Sequence, residues 1–134
     1  MNENRLSGTA TVLIRRAAED LISEVNGVRA VVVATADGFD VTSAMRGHQE
    51  PSRIAAMASS IAAISLVVSQ EARLGRHRSV TIDTDDGFAV VYAVPGEHSD
   101  LIINAIAGRE AIIGQVMYRL GAMARHVAEL EAHN

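Results

Sequence analysis

The chain has 134 residues, 49% of them apolar, and a formal net charge of -4 at pH 7, which suits one domain whose core needs neither metal nor disulfide. It has no Cys and no Trp, and its 12 basic residues are all arginine, so a P-loop lysine, a Schiff-base lysine, a thiol nucleophile, a thiolate zinc site and a disulfide are excluded. The acidic balance and the 3% aromatic content offer nucleic acid neither an attractive field nor a stacking surface.

Residues 1–8 are polar and lack the charged-then-apolar pattern of a secretion signal, which predicts a disordered N-terminus and a cytoplasmic protein. The rest reads as a single domain over 9–131 and a short tail over 132–134. Over 9–25, Ile14, Ala17, Ala18, Leu21 and Val25 recur at helical spacing, with Arg15, Arg16, Glu19, Asp20 and Ser23 opposite, so the segment is an amphipathic helix. Asn26-Gly27 supplies its left-handed stop. Residues 28–35 are rich in β-branched side chains and apolar at successive positions from Ala30 to Ala34, the mark of a central strand covered on both faces. Ala36-Asp37-Gly38 forms a tight turn, and 39–45 returns as a second strand.

After a polar loop over 46–51, a long helix is predicted over 52–74, with Pro51 at its start and Gly75 at its stop. Its uncharged run, 54–70, is shorter than the roughly 20 residues a membrane span needs and contains Ser59, Ser60, Ser65, Ser69 and Gln70, so no membrane insertion is expected. Ile54, Met57, Ala58, Ile61, Ile64, Ser65 and Val68 are predicted to face the sheet. The opposite side then presents Ala56, Ser59, Ser60, Ala63, Val67, Gln70 and Leu74, with no charge among them. A solvent face would carry Lys, Arg or Glu, so this side is expected to be covered by a second copy; the alternative is an Ala-rich helix selected for propensity alone.

Residues 79–84 read as a third strand, Asp85-Asp86-Gly87 as a turn, and 88–94 as the returning strand, closed by Pro95. A polar stretch over 96–100 leads to a fifth strand over 101–107. Gly108-Arg109-Glu110 then leads to a last helix over 111–131. On it Ile113, Val116, Met117, Leu120, Ala124 and Val127 share one face, opposite Gln115, Arg119, Arg125, His126 and Glu129. Gly114 and Gly121 are expected to let a neighbouring helix, the first, approach closely.

This order of elements resembles the Roadblock/dynein light chain family, of the bacterial GTPase-regulator type, over residues 12–131. Gly27-Val-Arg-Ala-Val-Val-Val-Ala-Thr-Ala-Asp-Gly38 resembles the family's first hairpin, Val80-Thr-Ile-Asp-Thr-Asp-Asp-Gly87 its second, and Gly114-Gln-Val-Met-Tyr-Arg-Leu120 the start of its final helix. The resemblance implies an α+β fold ordered α-β-β-α-β-β-β-α. Its five-stranded antiparallel sheet would have the long central helix on one face and the two terminal helices on the other. It further implies pairing through the long helix and the third strand, which adds Val80 and Ile82 to the expected dimer interface. The expected function is to regulate or scaffold a small Ras-like GTPase, or to serve as an adaptor in a motor or signalling complex, with no catalytic residue and no cofactor. A small-molecule-sensing module is the alternative, since similar layered domains hold ligands in apolar clefts.

Chemistry is sparse. Asp83, Asp85 and Asp86 fail the calcium-loop spacing, because Gly87 and Val94 occupy ligand positions. Glu97, His98 and Asp100 are three near neighbours on one loop without a second histidine nearby. The 5 histidines are scattered, and no nucleophile elbow or dinucleotide-binding glycine pattern occurs. Arg73, Arg76, His77 and Arg78 form the one basic cluster, which reads either as protection of a strand edge or as a docking patch for an acidic partner surface. Arg53, at the other end of the long helix, joins Arg73, Arg76 and Arg78 as a candidate partner-binding residue.

Overall fold

The β-branched run lies inside an antiparallel sheet, with a strand on either side of it. In the computed structural model, which describes residues 6–133, β1 (Val28–Thr35) pairs with β2 (Asp40–Met45) on one side and with β5 (Leu101–Gly108) on the other. β4 (Gly87–Ala93) follows β5, and β3 (Ser79–Thr84) forms the far edge, giving the order β2-β1-β5-β4-β3. Helices α1 (Gly8–Glu24), α2 (Pro51–Glu71) and α3 (Ile113–Ala132) complete the expected α-β-β-α-β-β-β-α succession.

Period-two alternation divides the side chains of each strand between the faces. Val31, Val33, Val90, Ile103 and Ala105 point to the side where α1 and α3 bury Ile14, Leu21, Val116 and Leu120. Ala30, Val32, Ala34, Val91 and Ile102 point to the other side, where α2 meets them with Ile54, Ala55, Ala58 and Ala62. The long helix therefore lies alone on one face and the terminal helices share the other.

The turns follow from local chemistry. After α1, Gly27 takes φ +89, and a Cβ there would stand 2.6 Å from the Ala111 backbone nitrogen, so only glycine fits. Ser7 caps α1, its Oγ accepting from the Ala10 backbone N–H at 3.1 Å, and Leu6 is buried. Residues 6–8, expected to be disordered, thus belong to the fold, whereas 1–5 lie outside the described residues. At the other end α3 runs to Ala132, into the expected tail, and residue 134 again lies outside the described set.

Two expectations about glycine are corrected. Gly121 accommodates Tyr92 of β4, whose hydroxyl would be 3.1 Å from an added Cβ, and a Cβ added at Gly114 would meet no other element within 4 Å among the described residues; neither brings α1 close. Nor is Gly75 the stop of α2. The Arg73 N–H donates to the Gln70 carbonyl at 3.2 Å and the Leu74 N–H to the Ser69 carbonyl at 2.9 Å, the paired bonds of a Schellman motif. Arg73 fills its left-handed position at φ +56, where a side chain costs roughly 1–2 kcal/mol that glycine avoids.

Candidate functional site

No charged residue stands on α2 between Arg53 and Glu71. With polarity silent, side-chain size sets the rotation of the helix: Ala55, Ala58 and Ala62 allow the backbone close to the strands and are buried. The expected sheet-facing set is corrected accordingly. Ile54 and Ala58 face the sheet and Ile61 packs against it, but Met57, Ile64 and Val68 are 51%, 65% and 55% exposed. The helix is rotated so that Met57, Ile64 and Val68 point outward while Ile54 and Ile61 stay on the sheet.

Of the residues expected at a dimer interface, Ala56, Ser60, Ala63, Val67, Gln70, Leu74 and Ile82 are exposed, while Ser59 and Val80 are half-buried. Val80 and Ile82 oppose Val91 and Ala89 on β4, and Val91 faces α2, so both lie on the same side of the sheet as the helix. As the edge strand, β3 has one row of backbone groups without a strand partner, a template for pairing with another chain. Met57, Ile64, Val67, Val68 and Ile82 together make an apolar surface, and burying each large aliphatic side chain is worth about 1.5–3 kcal/mol. Hydrophobicity alone assigns Met57, Ile64 and Val68 inward, and neither charge nor size sets Ile64 apart from the sheet-facing Ile54 and Ile61.

The basic cluster flanks this surface. Arg73, Arg76 and Arg78 are exposed at the C-terminal end of α2 and the start of β3, and Arg53 is exposed near the N-terminal end. Among the described residues none of these four arginines makes an ion pair. His77 is tied down instead, its Nδ1 lying 3.4 Å from Ser65 Oγ. The arginines do not converge on a common point, so they frame the apolar face without forming a closed site.

The other candidate chemistry does not converge either. His98 Nε2 and Glu97 Oε1 are 3.8 Å apart on an exposed loop, and among the described residues no three His, Asp or Glu side chains group as a metal would require. At the second hairpin the Arg109 guanidinium donates to the Asp85 carbonyl. A cleft of about 630 Å³ at the C-terminal end of α1 is lined by Glu24, Arg29, Arg46 and Glu110, among others. Its charges are engaged with the protein: Arg29 with Glu110 at 3.7 Å, Glu24 with Arg119 at 2.8 Å, and Arg46 with the Ile22 carbonyl at 3.1 Å. Such a cleft differs from the apolar enclosure with a few convergent polar groups that usually holds a ligand.

At 21 residues α2 is long and apolar enough to cross a bilayer by length and composition alone, which the uncharged run by itself did not suggest. Its packing on the sheet through Ile54, Ala55, Ala58 and Ala62 makes it a layer of the folded domain.

The sequence model of the Roadblock/LC7 domain matches residues 16–103. No curated protein matches the chain in sequence. Among solved structures, a Roadblock/LC7 domain from Streptomyces avermitilis is similar with a TM-score of 0.78 at 19% identity, over 86% of this chain and 94% of that one. Gliding protein MglB from Thermus thermophilus is similar with a TM-score of 0.85 at 12% identity, over 96% of each chain. An MglB structure with a tetrameric arrangement gives 0.85 at 14% identity, over 96% of this chain and 94% of that one. At these identities the structural likeness is one of fold, while the match in sequence runs through both hairpins, all of α2 and all of β3. The chain belongs to the Roadblock/LC7 domain family.

Proposed function

We propose that the chain is a non-enzymatic interaction domain that pairs with a second copy through α2 and β3, and that the pair regulates or scaffolds a small Ras-like GTPase in a bacterial cytoplasm. The observation that carries the pairing is the exposed, uncharged face of α2 running on to Ile82 of the edge strand. A monomer would leave Met57, Ile64, Val67 and Val68 in water together, and an apolar surface of that kind marks an interface. The tetrameric arrangement of a similar MglB supports self-association. The GTPase partner rests on the family resemblance.

Pairing sets two long helices side by side as a platform that neither copy has alone. Arg53, Arg73, Arg76 and Arg78 steer an acidic partner surface toward it. Regulation then requires only that the platform fit one arrangement of the GTPase's switch loops better than the other. With no lysine and no phosphate-binding glycine loop, the chain itself is expected to bind no nucleotide.

The test has two steps. Light scattering on a size-exclusion column at micromolar concentration gives a dimer mass, and a monomer mass there ends the reading. Calorimetric titration with the Ras-like GTPase encoded nearest to this chain's gene, loaded with GDP or a GTP analogue, gives unequal affinities. Equal affinities would reduce the regulator to a passive scaffold.

A further inference from the structure

The edge strand β3 carries opposite charge at its two ends. Arg76 and Arg78 stand where the chain enters it, Asp83, Asp85 and Asp86 where the chain leaves it, and all of them are exposed. Among the described residues none of these groups makes an ion pair. Arg109, whose guanidinium donates to the Asp85 carbonyl, still leaves the outgoing turn acidic on balance. Within one chain the two ends do not neutralise each other, because at the usual rise of a strand Arg78 and Asp83 stand roughly 17 Å apart, beyond the screening length of physiological salt.

The backbone of β3 is equally one-sided. The Ala93 N–H donates to the Arg78 carbonyl at 2.8 Å, and the pairing with β4 then runs without a break from Ser79↔Tyr92 to Thr84↔Gly87. In an antiparallel ladder, successive residues alternate between bonding the neighbouring strand and facing away from it. Arg78, Val80 and Ile82 therefore bond β4, and the backbone groups of Ser79, Thr81 and Asp83 point to the open edge.

We propose that this edge recognises a second copy of itself in one register: the two β3 strands run antiparallel with Thr81 opposite Thr81, so that the basic entry of each lies beside the acidic exit of the other. The assignment rests on the pairing through α2 and β3 proposed above. A half-turn about Thr81 sets Ser79 against Asp83 and uses all three outward-facing residues, whereas sliding the strands by two residues leaves one of them unmatched within the strand. The same half-turn carries Arg78 to Thr84 and Arg76 to Asp86 of the second copy. Paired strands lie about 4.8 Å apart, a gap that the long arginine side chains span, and symmetry makes each contact twice. A parallel arrangement would put arginine beside arginine and aspartate beside aspartate, which charge disfavours. The same charges thus guard the edge against foreign strands and admit one of matching polarity. Of the four arginines that frame the platform, Arg76 and Arg78 then serve the pair itself, and Arg53 and Arg73 stay available to the proposed GTPase.

The chain has no cysteine, so single introduced cysteines report the register. Thr81→Cys is expected to oxidise to a covalent dimer faster than Ser79→Cys or Asp83→Cys, because only residue 81 meets its own copy, at about 5.5 Å between Cα atoms and within disulfide range. Charge is tested by sedimentation equilibrium, with thermal melting on each variant. Arg76→Glu/Arg78→Glu and Asp85→Arg/Asp86→Arg each bring like charges together at both ends and are each expected to weaken dimerisation about thirtyfold at low salt. Combining both pairs of changes in one chain restores the complementarity and is expected to return the affinity to within about threefold of wild type. The wild-type affinity itself should fall as salt rises. Unchanged affinity in either reversal, no recovery in the combined variant, or a wild-type affinity indifferent to salt overturns the charge assignment while leaving the pairing intact. Faster cross-linking at residue 79 or 83 overturns the register. A monomeric wild-type chain removes the pairing reading and this inference with it.

Discussion

On one face of the sheet Ile14, Leu21, Val116 and Leu120 are enclosed by branched neighbours, whereas on the other α2 rests on Ile54 and three alanines and turns Ile64, Val67 and Val68 outward. Both faces draw on the same aliphatic alphabet, but they use it in opposite directions. The α1/α3 side buries its large groups within the chain and so supports the stability of the fold. The α2 side keeps its large groups available, so its apolar area contributes to association. Substitutions on the two faces should accordingly separate folding from pairing.

The largest effect is expected on the open face. Val67→Glu or Ala63→Arg places a charge in the proposed helix pair with no partner to neutralise it, a cost of about 3–5 kcal/mol for each such charge. Both positions are exposed in the single chain, where surface changes usually stay within about 0.5 kcal/mol. Light scattering should therefore report monomers with native far-UV circular dichroism. A stable dimer from either variant would move the interface elsewhere.

Next comes the closed face. Leu120 is fully buried, and Leu120→Ala is expected to lose about 2–5 kcal/mol of folding stability through lost transfer energy and the cavity left behind. Measured by urea unfolding of a monomeric variant, this loss should appear with little change in pairing affinity in the Leu120→Ala dimer. A fall in pairing as large as the fall in stability would erase the division between the faces.

A smaller effect probes the seam beneath α2. Asn104 is buried on β5, and among the described residues its Oδ1 has no hydrogen-bond partner. Its neighbours Ile102 and Ile106, two residues away on either side, pack toward α2, so Asn104 points the same way. An unsatisfied buried polar group costs about 1–3 kcal/mol; Asn104→Leu should thus raise the melting midpoint, and a lowered one would show that the amide is satisfied in solution. The smallest effect is at Arg73, where Arg73→Gly relieves left-handed backbone strain and is expected to gain about 0.5–1 kcal/mol after the greater freedom of unfolded glycine is deducted. No gain in urea unfolding would mean that Arg73 makes compensating contacts.

The element order was legible because punctuation was strong. Gly27, Gly38, Pro51 and Pro95 mark ends that lie within a few residues of the observed ones, and the β-branched run of β1 pairs on both sides as its continuous apolar pattern required. What resisted reading was orientation where chemistry is uniform. On α1 and α3, charged side chains mark the solvent side; α2 has no such marker between its ends, so Met57, Ile64 and Val68 were assigned inward. Gly75 drew attention as a stop because glycine is the common left-handed residue, and nothing in the sequence announces that Arg73 takes that conformation two residues earlier. Gly121 was expected to face a helix, but its neighbour is Tyr92, a contact set by tertiary packing.

The edge position of β3 has a bearing on stoichiometry. If two copies join edge to edge there, each uses the same strand that the other uses, and a two-fold rotation carries the contact onto itself. Such self-complementary contacts close after two subunits and leave no matching edge for a third. The opposite border of the sheet, β2, contains Asp40, Thr42 and Ser43 and does not repeat the apolar pattern of Val80 and Ile82. Growth beyond a pair would then require a different surface altogether, so that rising protein concentration fills discrete pairs before it builds anything larger.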